Sequence, residues 1–234
     1  MGSLLAMIRP ILALSALSIL AACSSGGTSP VVSVIKGVIL PGKTAEPPVR
    51  NAGAKLTREK IDAFGLALIR GGIEGEDVSN LLTGTAVNGQ YVTYVSSFRQ
   101  NITMFGGLVT GTRGMGGDLL AVRAAANDPV AHTTPTANWP TTLTRDYRFP
   151  GVGPAGNTVS VTCNLTPAQD TTVTIVEVTY EVTPFTEVCT GDGAAFTNTY
   201  LAQPDTGQIW QSQQWIGDKV GYVNIDILEP YTIE

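Results

Sequence analysis

The residue with the clearest chemistry is Cys23, which ends the tetrapeptide Leu20-Ala21-Ala22-Cys23. The tetrapeptide has the pattern of a lipobox, in which signal peptidase II cuts after two small residues. The thiol of Cys23 can be alkylated by diacylglycerol, and the amine freed by cleavage can then be acylated, for example with palmitate. The apolar run at 11–20 is shorter than the roughly 20 residues that a membrane-spanning helix needs. Residues 1–22 are therefore predicted to be a lipoprotein signal peptide with Leu20, Ala21 and Ala22 as its recognition residues.

Acyl chains on Cys23 would determine where the chain resides. Each CH2 group of an acyl chain that is buried in the membrane contributes about 0.8 kcal/mol to membrane binding. One acyl chain anchors a protein only weakly, whereas the three acyl chains of a mature bacterial lipoprotein anchor it stably. Ser24 and Ser25 follow Cys23. In Gram-negative bacteria, an aspartate at this place usually keeps a lipoprotein at the inner membrane, and this chain has none there. We expect a lipid-anchored chain on the outer membrane, facing the periplasm. A secretory signal whose cysteine carries no lipid is the alternative.

The other two cysteines, Cys163 and Cys189, form an even pair in an oxidising compartment, which favours a disulfide between them. Two free buried thiols remain an alternative. A metal site is not expected, because the only histidine, His132, lies in a Thr/Pro-rich segment.

No other motif in the sequence predicts catalysis. His132 lacks the strand-turn-helix context of a serine hydrolase. The glycine-rich segment 114–119 lacks the last glycine of a dinucleotide motif and leads into a β segment. Glu177 and Glu181 would share one face of a predicted strand, with the spacing of ordinary solvated residues. The sequence therefore predicts no catalytic residue, no cofactor and no enzyme.

The segment 207–217 has the composition of a sugar or partner contact. Aromatic rings pack on the C–H faces of pyranoses, and glutamine amides pair with hydroxyl groups. The residues that offer this chemistry are Trp210, Gln211, Gln213 and Trp215. Because the two tryptophans are five positions apart, they would face opposite sides of a regular strand, so at least one should belong to the core. Arg113 is a further candidate, which would either pair with Asp118 or hold an anionic sugar.

Composition and periodicity predict an all-β protein. The net charge of -5 argues against a nucleic-acid partner, and charged residues form only 14% of the chain. A helix is predicted from an N-cap at Thr57 to Phe64, ended by Gly65. Beyond it, strand-length segments recur about every ten residues, as in antiparallel hairpins. Segment 172–182 reads as one strand and segment 127–142 as a loop.

We therefore expect a lipidated tether and irregular segment over 23–56, followed by a single β domain over 57–234. Its architecture should be an antiparallel β-sandwich or a partly open β-barrel with at most one or two short helices.

Several motifs in this order resemble one known family. They are the lipobox, 56–63, 111–120, Cys163, 187–189, 196–200 and 210–217. The chain resembles the YjbF family of lipoproteins, which is related to the GfcB group 4 capsule lipoproteins. The resemblance implies an all-β outer-membrane accessory protein without established catalysis, with an acylated Cys23 and a bridge between Cys163 and Cys189. Tyr94 departs from the tryptophan expected there.

The expected function is that of a non-enzymatic accessory factor in exopolysaccharide or capsule assembly or export. The chain would bind a glycan or a protein of the secretion machinery, and contact the outer membrane through Cys23. A periplasmic carrier for a lipidated or apolar ligand is one alternative, and requires a cavity inside an open barrel. A glycan-cleaving enzyme is another, and requires two carboxylates in a cleft. A structural envelope protein is the third.

Overall fold

A computed structural model describes residues 56–76, 79–152 and 156–232. These residues belong to one compact unit, Ala52–Glu234. The predicted signal peptide, Cys23 and the tether up to residue 55 lie outside the described residues.

The helix predicted from the sequence is confirmed as α1, Arg58–Phe64. Thr57 caps its start, because the Thr57 hydroxyl accepts the Lys60 N–H. Gly65 ends it in the left-handed region at φ 59°. No helix among the described residues is long and apolar enough to cross a membrane.

The rest of the described chain is dominated by strands. Their bounds are β1 Leu68–Ile73, β2 Asn80–Asn88, β3 Tyr91–Ser96, β4 Asn101–Phe105, β5 Leu108–Arg113, β6 Ala121–Ala124, β7 Thr142–Phe149, β8 Asn157–Pro167, β9 Thr171–Ile175, β10 Val178–Gly191, β11 Ala194–Ala202, β12 Ile209–Gly217 and β13 Gly221–Glu229. One 3-10 turn, Thr136–Asn138, lies in the long β6–β7 connection.

The strands form one antiparallel sheet in the order β5-β4-β3-β2-β1-β13-β12-β11-β10-β8-β7-β6, and β9 pairs with β10 outside this path. The two end strands approach each other, since the Thr112 N–H at the end of β5 donates to the Leu119 carbonyl just before β6, 2.9 Å away. The sheet is therefore a nearly closed barrel. The prediction of an antiparallel all-β fold is confirmed, and the barrel is the one of the two expected architectures that forms.

Side chains fill the barrel, because alternate residues of each strand point inward. Large buried side chains come from strands all around the ring. They include Ile69, Leu82, Ile102, Leu108, Tyr147, Tyr200, Ile216 and Ile225. The interior is a packed core and not an open lumen.

One end of the barrel is covered by the β6–β7 connection. Val130 and Ala131 of this segment are buried, and the Val130 carbonyl accepts the Gly107 N–H at 2.8 Å. Gly106, in the β4–β5 turn, sits so close that a Cβ there would lie 2.4 Å from the Ala131 carbonyl oxygen. The segment is a loop apart from its 3-10 turn, as predicted, and it closes this end.

Two strand features differ from the sequence prediction. Segment 172–182 is a hairpin and not one strand, because Val176 and Glu177 turn the chain with φ of 41° and 70°. Glu177 therefore lies in the turn, and Glu181 lies on β10. Strand β7 was not predicted at all, although Leu143, Arg145 and Tyr147 alternate inward along it.

Candidate functional site

The open end of the barrel holds a depression of about 650 Å³, which we call the mouth. Four connections surround it, namely β5–β6, β7–β8, β10–β11 and β12–β13. Its volume lies within the range of small-molecule sites, about 300–1,000 Å³. The mouth is therefore large enough to hold one or more sugar units.

Aromatic side chains form the floor of the mouth. Trp215 stacks on Phe196 with ring centroids 4.2 Å apart, and its ring meets Phe149 edge-on at 5.4 Å. Trp215 is only 6% exposed, so it offers little more than an edge, whereas Phe149 is half-buried. Gly217 lets Phe149 come close, because a Cβ at position 217 would lie 2.7 Å from that ring.

The rim of the mouth is acidic. Asp118, Asp192 and Asp218 line it together with one cation, Lys219. Asp118 accepts the Met115 N–H at 3.0 Å and so holds the β5–β6 turn. Asp192 accepts the Ser160 N–H at 2.8 Å. Carboxylates accept hydrogen bonds from the hydroxyl groups of a neutral sugar, and they repel an anionic sugar.

Both predicted tryptophans are buried, and they lie in different places. Trp210 stacks on Tyr180 at 3.7 Å, and its ring N–H donates to Gln203. The simple alternation between the two tryptophans is interrupted, because the pairing of β12 with β11 is irregular opposite Trp210 and ends at Gln213. The Trp215 N–H then donates to the side chain of Asn198 at 2.7 Å, and the pairing of β12 with β13 shifts just beyond Trp215.

The predicted glutamines lie on the outer face of β12. Gln211 donates to Asp226 at 2.7 Å. Gln213 donates to Glu74 and Asn224, each at 3.1 Å. These amides are engaged with neighbouring side chains, and they do not join Trp215 at the mouth.

Arg113 forms no ion pair with Asp118 in the described residues, although that pairing was one of its two predicted roles. Among the described contacts of Arg113, its Nη1 donates to the carbonyls of Thr112 and Leu119 at 2.6 and 3.1 Å. Asp118 instead accepts the N–H groups of its own turn. Arg113 lies on the outer surface at the seam between β5 and β6.

A buried charged cluster that the sequence analysis missed lies inside the barrel. Arg145 binds Asp128 through two hydrogen bonds of 2.6 and 3.0 Å, and it binds Glu187 at 2.7 Å. Asn198 and Tyr200 donate to the same Glu187 oxygen at 2.8 and 2.9 Å. The signal for this cluster was an arginine on the inward face of β7, between Leu143 and Tyr147.

These contacts determine the protonation of the cluster. Burial opposes the charge of Arg145, but Glu187, Tyr200, Tyr147 and Asp128 together raise its pKa well above the usual value. Burial and the Glu187 carboxylate raise the pKa of Tyr200 well above the usual value as well. Arg145 therefore stays charged and Tyr200 stays neutral. None of these residues lines the mouth. Their contacts join β7, β10 and β11 to the β6–β7 connection.

The structure joins Cys163 and Cys189 by a disulfide, across directly opposed positions of β8 and β10. The two sulfur atoms and a Glu187 carboxylate oxygen lie within 4.8 Å of one another, which is the spacing of metal ligands. With the sulfur atoms bonded to each other, neither is available as a thiolate. These residues therefore do not offer a metal site in the disulfide form.

His132 lies at the closed end of the barrel. Its ring meets Phe105 edge-on at 4.7 Å, and the side chain is exposed. The neighbouring depression, of about 380 Å³, is lined by His132 and mostly apolar or amide side chains. Within the described residues that line it there is no carboxylate or serine to complete a catalytic triad.

The comparisons with known proteins identify the family. The family model described as "Group 4 capsule polysaccharide lipoprotein gfcB, YjbF" matches residues 31–228. The chain belongs to this family. The match spans nearly all the described residues of this YjbF-family protein, including both the mouth and the disulfide. A search of curated proteins finds no match.

A solved structure shares the fold of this YjbF-family protein. It is the crystal structure of the hypothetical lipoprotein YmcC from Escherichia coli (K12), with a TM-score of 0.67 and 16% identity. The similarity covers 88% of this chain and 98% of that one. At this identity the likeness supports the barrel and carries no information about ligands.

Proposed function

We propose that this YjbF-family protein is an outer-membrane lipoprotein, anchored by acyl chains on Cys23, that assists capsule or exopolysaccharide assembly or export. It faces the periplasm and acts by binding a glycan or a protein of the secretion machinery, without catalysing a reaction. The observation that carries this proposal is the match of residues 31–228 to a family of capsule polysaccharide lipoproteins. The lipobox at 20–23 supports the anchor.

The mouth is the site proposed for neutral sugar units. Phe149 and the edge of Trp215 offer apolar surface for C–H faces, and the rim offers acceptors for hydroxyl groups. Asp118 and Asp192 already accept backbone N–H groups of the rim. Those bonds support a binding role over a catalytic one.

The alternative of a carrier for apolar ligands finds no support in the barrel interior. Such a carrier requires a cavity among the inward-facing residues. Here the inward-facing residues of the described strands pack against one another in a continuous core.

The test is deletion of the gene in a strain that makes the polymer, followed by measurement of polymer yield and length. We expect both to fall, and to recover with the wild-type gene but not with Cys23→Ala. Unchanged yield and length in the deletion strain would contradict the proposal.

A matched pair of variants tests the mouth. Ala194 lines the mouth, and Ala195, next to it on β11, points outward and is exposed. Ala194→Phe should fill the mouth and fail to restore the polymer, whereas Ala195→Phe should restore it. Equal complementation by both variants would exclude the mouth as the site.

A further inference from the structure

A long groove runs along the outside of the barrel at the seam between β5 and β6. It consists of two adjoining depressions of about 450 and 520 Å³, which share Tyr91, Ala121 and Val122. The end strands of the sheet, β5 and β6, face each other at the seam. The walls of the groove therefore come from β3, β4 and β5 on one side and from β6, β7 and β8 on the other. We call this feature the seam groove.

The seam groove concentrates the positive charge of the described residues. Three of the described cations line the groove, namely Arg113, Arg123 and Arg148. Arg113 and Arg148 also contact neighbouring groups of the protein. The groove-lining residues include one carboxylate, Asp146, which accepts the Ser160 hydroxyl at 2.8 Å. The groove is thus positive on a chain whose net charge is -5.

The arginines are placed to meet a ligand from both walls. Arg123 lies directly opposite Asp146 across β6 and β7. Among the described contacts it nevertheless forms no ion pair with Asp146 or any other residue. Arg113 stands on the opposite wall, where two backbone carbonyls fix one nitrogen of its guanidinium. Guanidinium groups held in this way bind carboxylates with two parallel hydrogen bonds.

The remaining groove surface suits a sugar. Thr93 and Thr103 place their hydroxyl groups 3.1 Å apart on the groove wall. Tyr91, at the junction of the two depressions, is 41% exposed and presents an aromatic ring. Hydroxyl groups, one aromatic ring and several arginines in an extended groove fit a chain of sugars that bears carboxylates.

We infer that the seam groove binds a run of acidic sugars, through pairing of their carboxylates with Arg113, Arg123 and Arg148. This inference rests on the proposed function and names its substrate class as an anionic polysaccharide. The mouth cannot serve the same part of the polymer, because its rim carries three carboxylates. The two sites thus divide the polymer between them, with acidic units in the seam groove and neutral units at the mouth.

The test measures binding of the purified mature chain to polygalacturonate, a polymer of uronic acid, and to neutral dextran. Wild-type protein should bind polygalacturonate, and raised salt should weaken that binding because exposed charges are screened. The double variant Arg123→Gln/Arg148→Gln should bind polygalacturonate at least about tenfold more weakly, since two charged contacts are lost. Ala121→Glu should weaken it as well by placing a carboxylate in the groove.

Two controls change the charge of the surface away from the groove. Lys60→Gln removes a cation from α1, which packs on β13, halfway around the sheet from the seam. Ala195→Glu adds a carboxylate to an exposed alanine of β11. Both should leave binding unchanged, and melting curves should show that all variants are folded.

Three outcomes would overturn the inference. They are equal loss of binding in variants and controls, tighter binding of dextran than of polygalacturonate, and stronger binding to phosphatidylglycerol vesicles than to polygalacturonate. The last outcome would assign the groove to a lipid surface. None of them bears on the proposed function, which the deletion strain and the Ala194→Phe variant test separately.

Discussion

Arg145 and Glu187 form an ion pair of 2.7 Å inside the barrel, and both side chains are completely buried. The pair joins β7 to β10 across β8, which lies between them in the sheet. Arg145 also binds Asp128 in the β6–β7 connection. One guanidinium thus links two strands to the segment that closes one end of the barrel.

Removing this guanidinium should strongly destabilise the fold. Arg145→Met leaves Asp128 and Glu187 buried without a positive partner. The free energy of unfolding should therefore fall by about 3–5 kcal/mol. The measurement is urea unfolding. Arg70→Met is the control, because the Arg70–Asp226 pair is partly exposed and should contribute at most about 1 kcal/mol. Equal losses in the two variants would contradict the structural role of the cluster.

The disulfide should contribute substantially to stability. In the chain-entropy model, a bridge over a separation of 26 residues stabilises the fold by about 3.5 kcal/mol. Cys163→Ala/Cys189→Ala should lower the free energy of unfolding by that amount. A reducing agent should destabilise the wild-type protein and have no effect on the double variant. If it destabilises neither protein, the bridge is absent or without effect.

The free energy of unfolding should fall at alkaline pH. Burial raises the pKa of Tyr94 from 10.0 to about 12, and that of Tyr147 likewise to about 12. Above pH 10 the unfolded chain loses these phenolic protons while the folded chain keeps them. The contribution of each protonated tyrosine to the free energy of unfolding is therefore complete below pH 10. It is lost between pH 10 and 12, at up to about 1.4 kcal/mol per pH unit for each group.

A single substitution tests this explanation. Tyr94→Phe removes one ionisable group, so unfolding free energies measured from pH 9 to 12 should fall less steeply than in the wild-type protein. An unchanged slope would show that Tyr94 ionises with equal ease in both states.

Two turn glycines should differ in their tolerance of a side chain. Gly89 and Gly106 both have φ near +60°, which is unfavourable for other residues. Around Gly89 there is open space, so Gly89→Ala should cost about 1 kcal/mol. Gly106→Ala adds a clash with the Ala131 carbonyl and should cost at least about twice as much. Similar melting temperatures for the two variants would mean that the β6–β7 connection does not pack closely against this turn.

The parts of the fold that the sequence predicts are those whose signals are local. Thr57 and Gly65 mark the ends of α1 by their own hydrogen bonding and backbone conformation. The β2–β3 turn follows Asn88, with Gly89 at positive φ. The β9–β10 turn escaped prediction because Val176 and Glu177 are poor turn residues, held at positive φ by the surrounding structure.

The candidate site was less predictable, because distant segments form it. Trp215 lies at the mouth, beyond the point where β12 stops pairing with β11, while Gln211 and Gln213 stay on the outer face. The seam groove brings Arg113 together with Arg123 and Arg148 only because the barrel nearly closes between β5 and β6. No spacing along the chain encodes that closure.

We propose that this β-barrel is attached to the outer membrane through lipid on Cys23. Mass spectrometry of the N-terminal peptide, from protein purified out of outer-membrane fractions of its native cells, tests it most directly. The result we predict is a first residue Cys23 that carries diacylglycerol and an N-acyl chain. An unmodified Cys23 thiol, or a chain that retains residues 1–22, would contradict the claim.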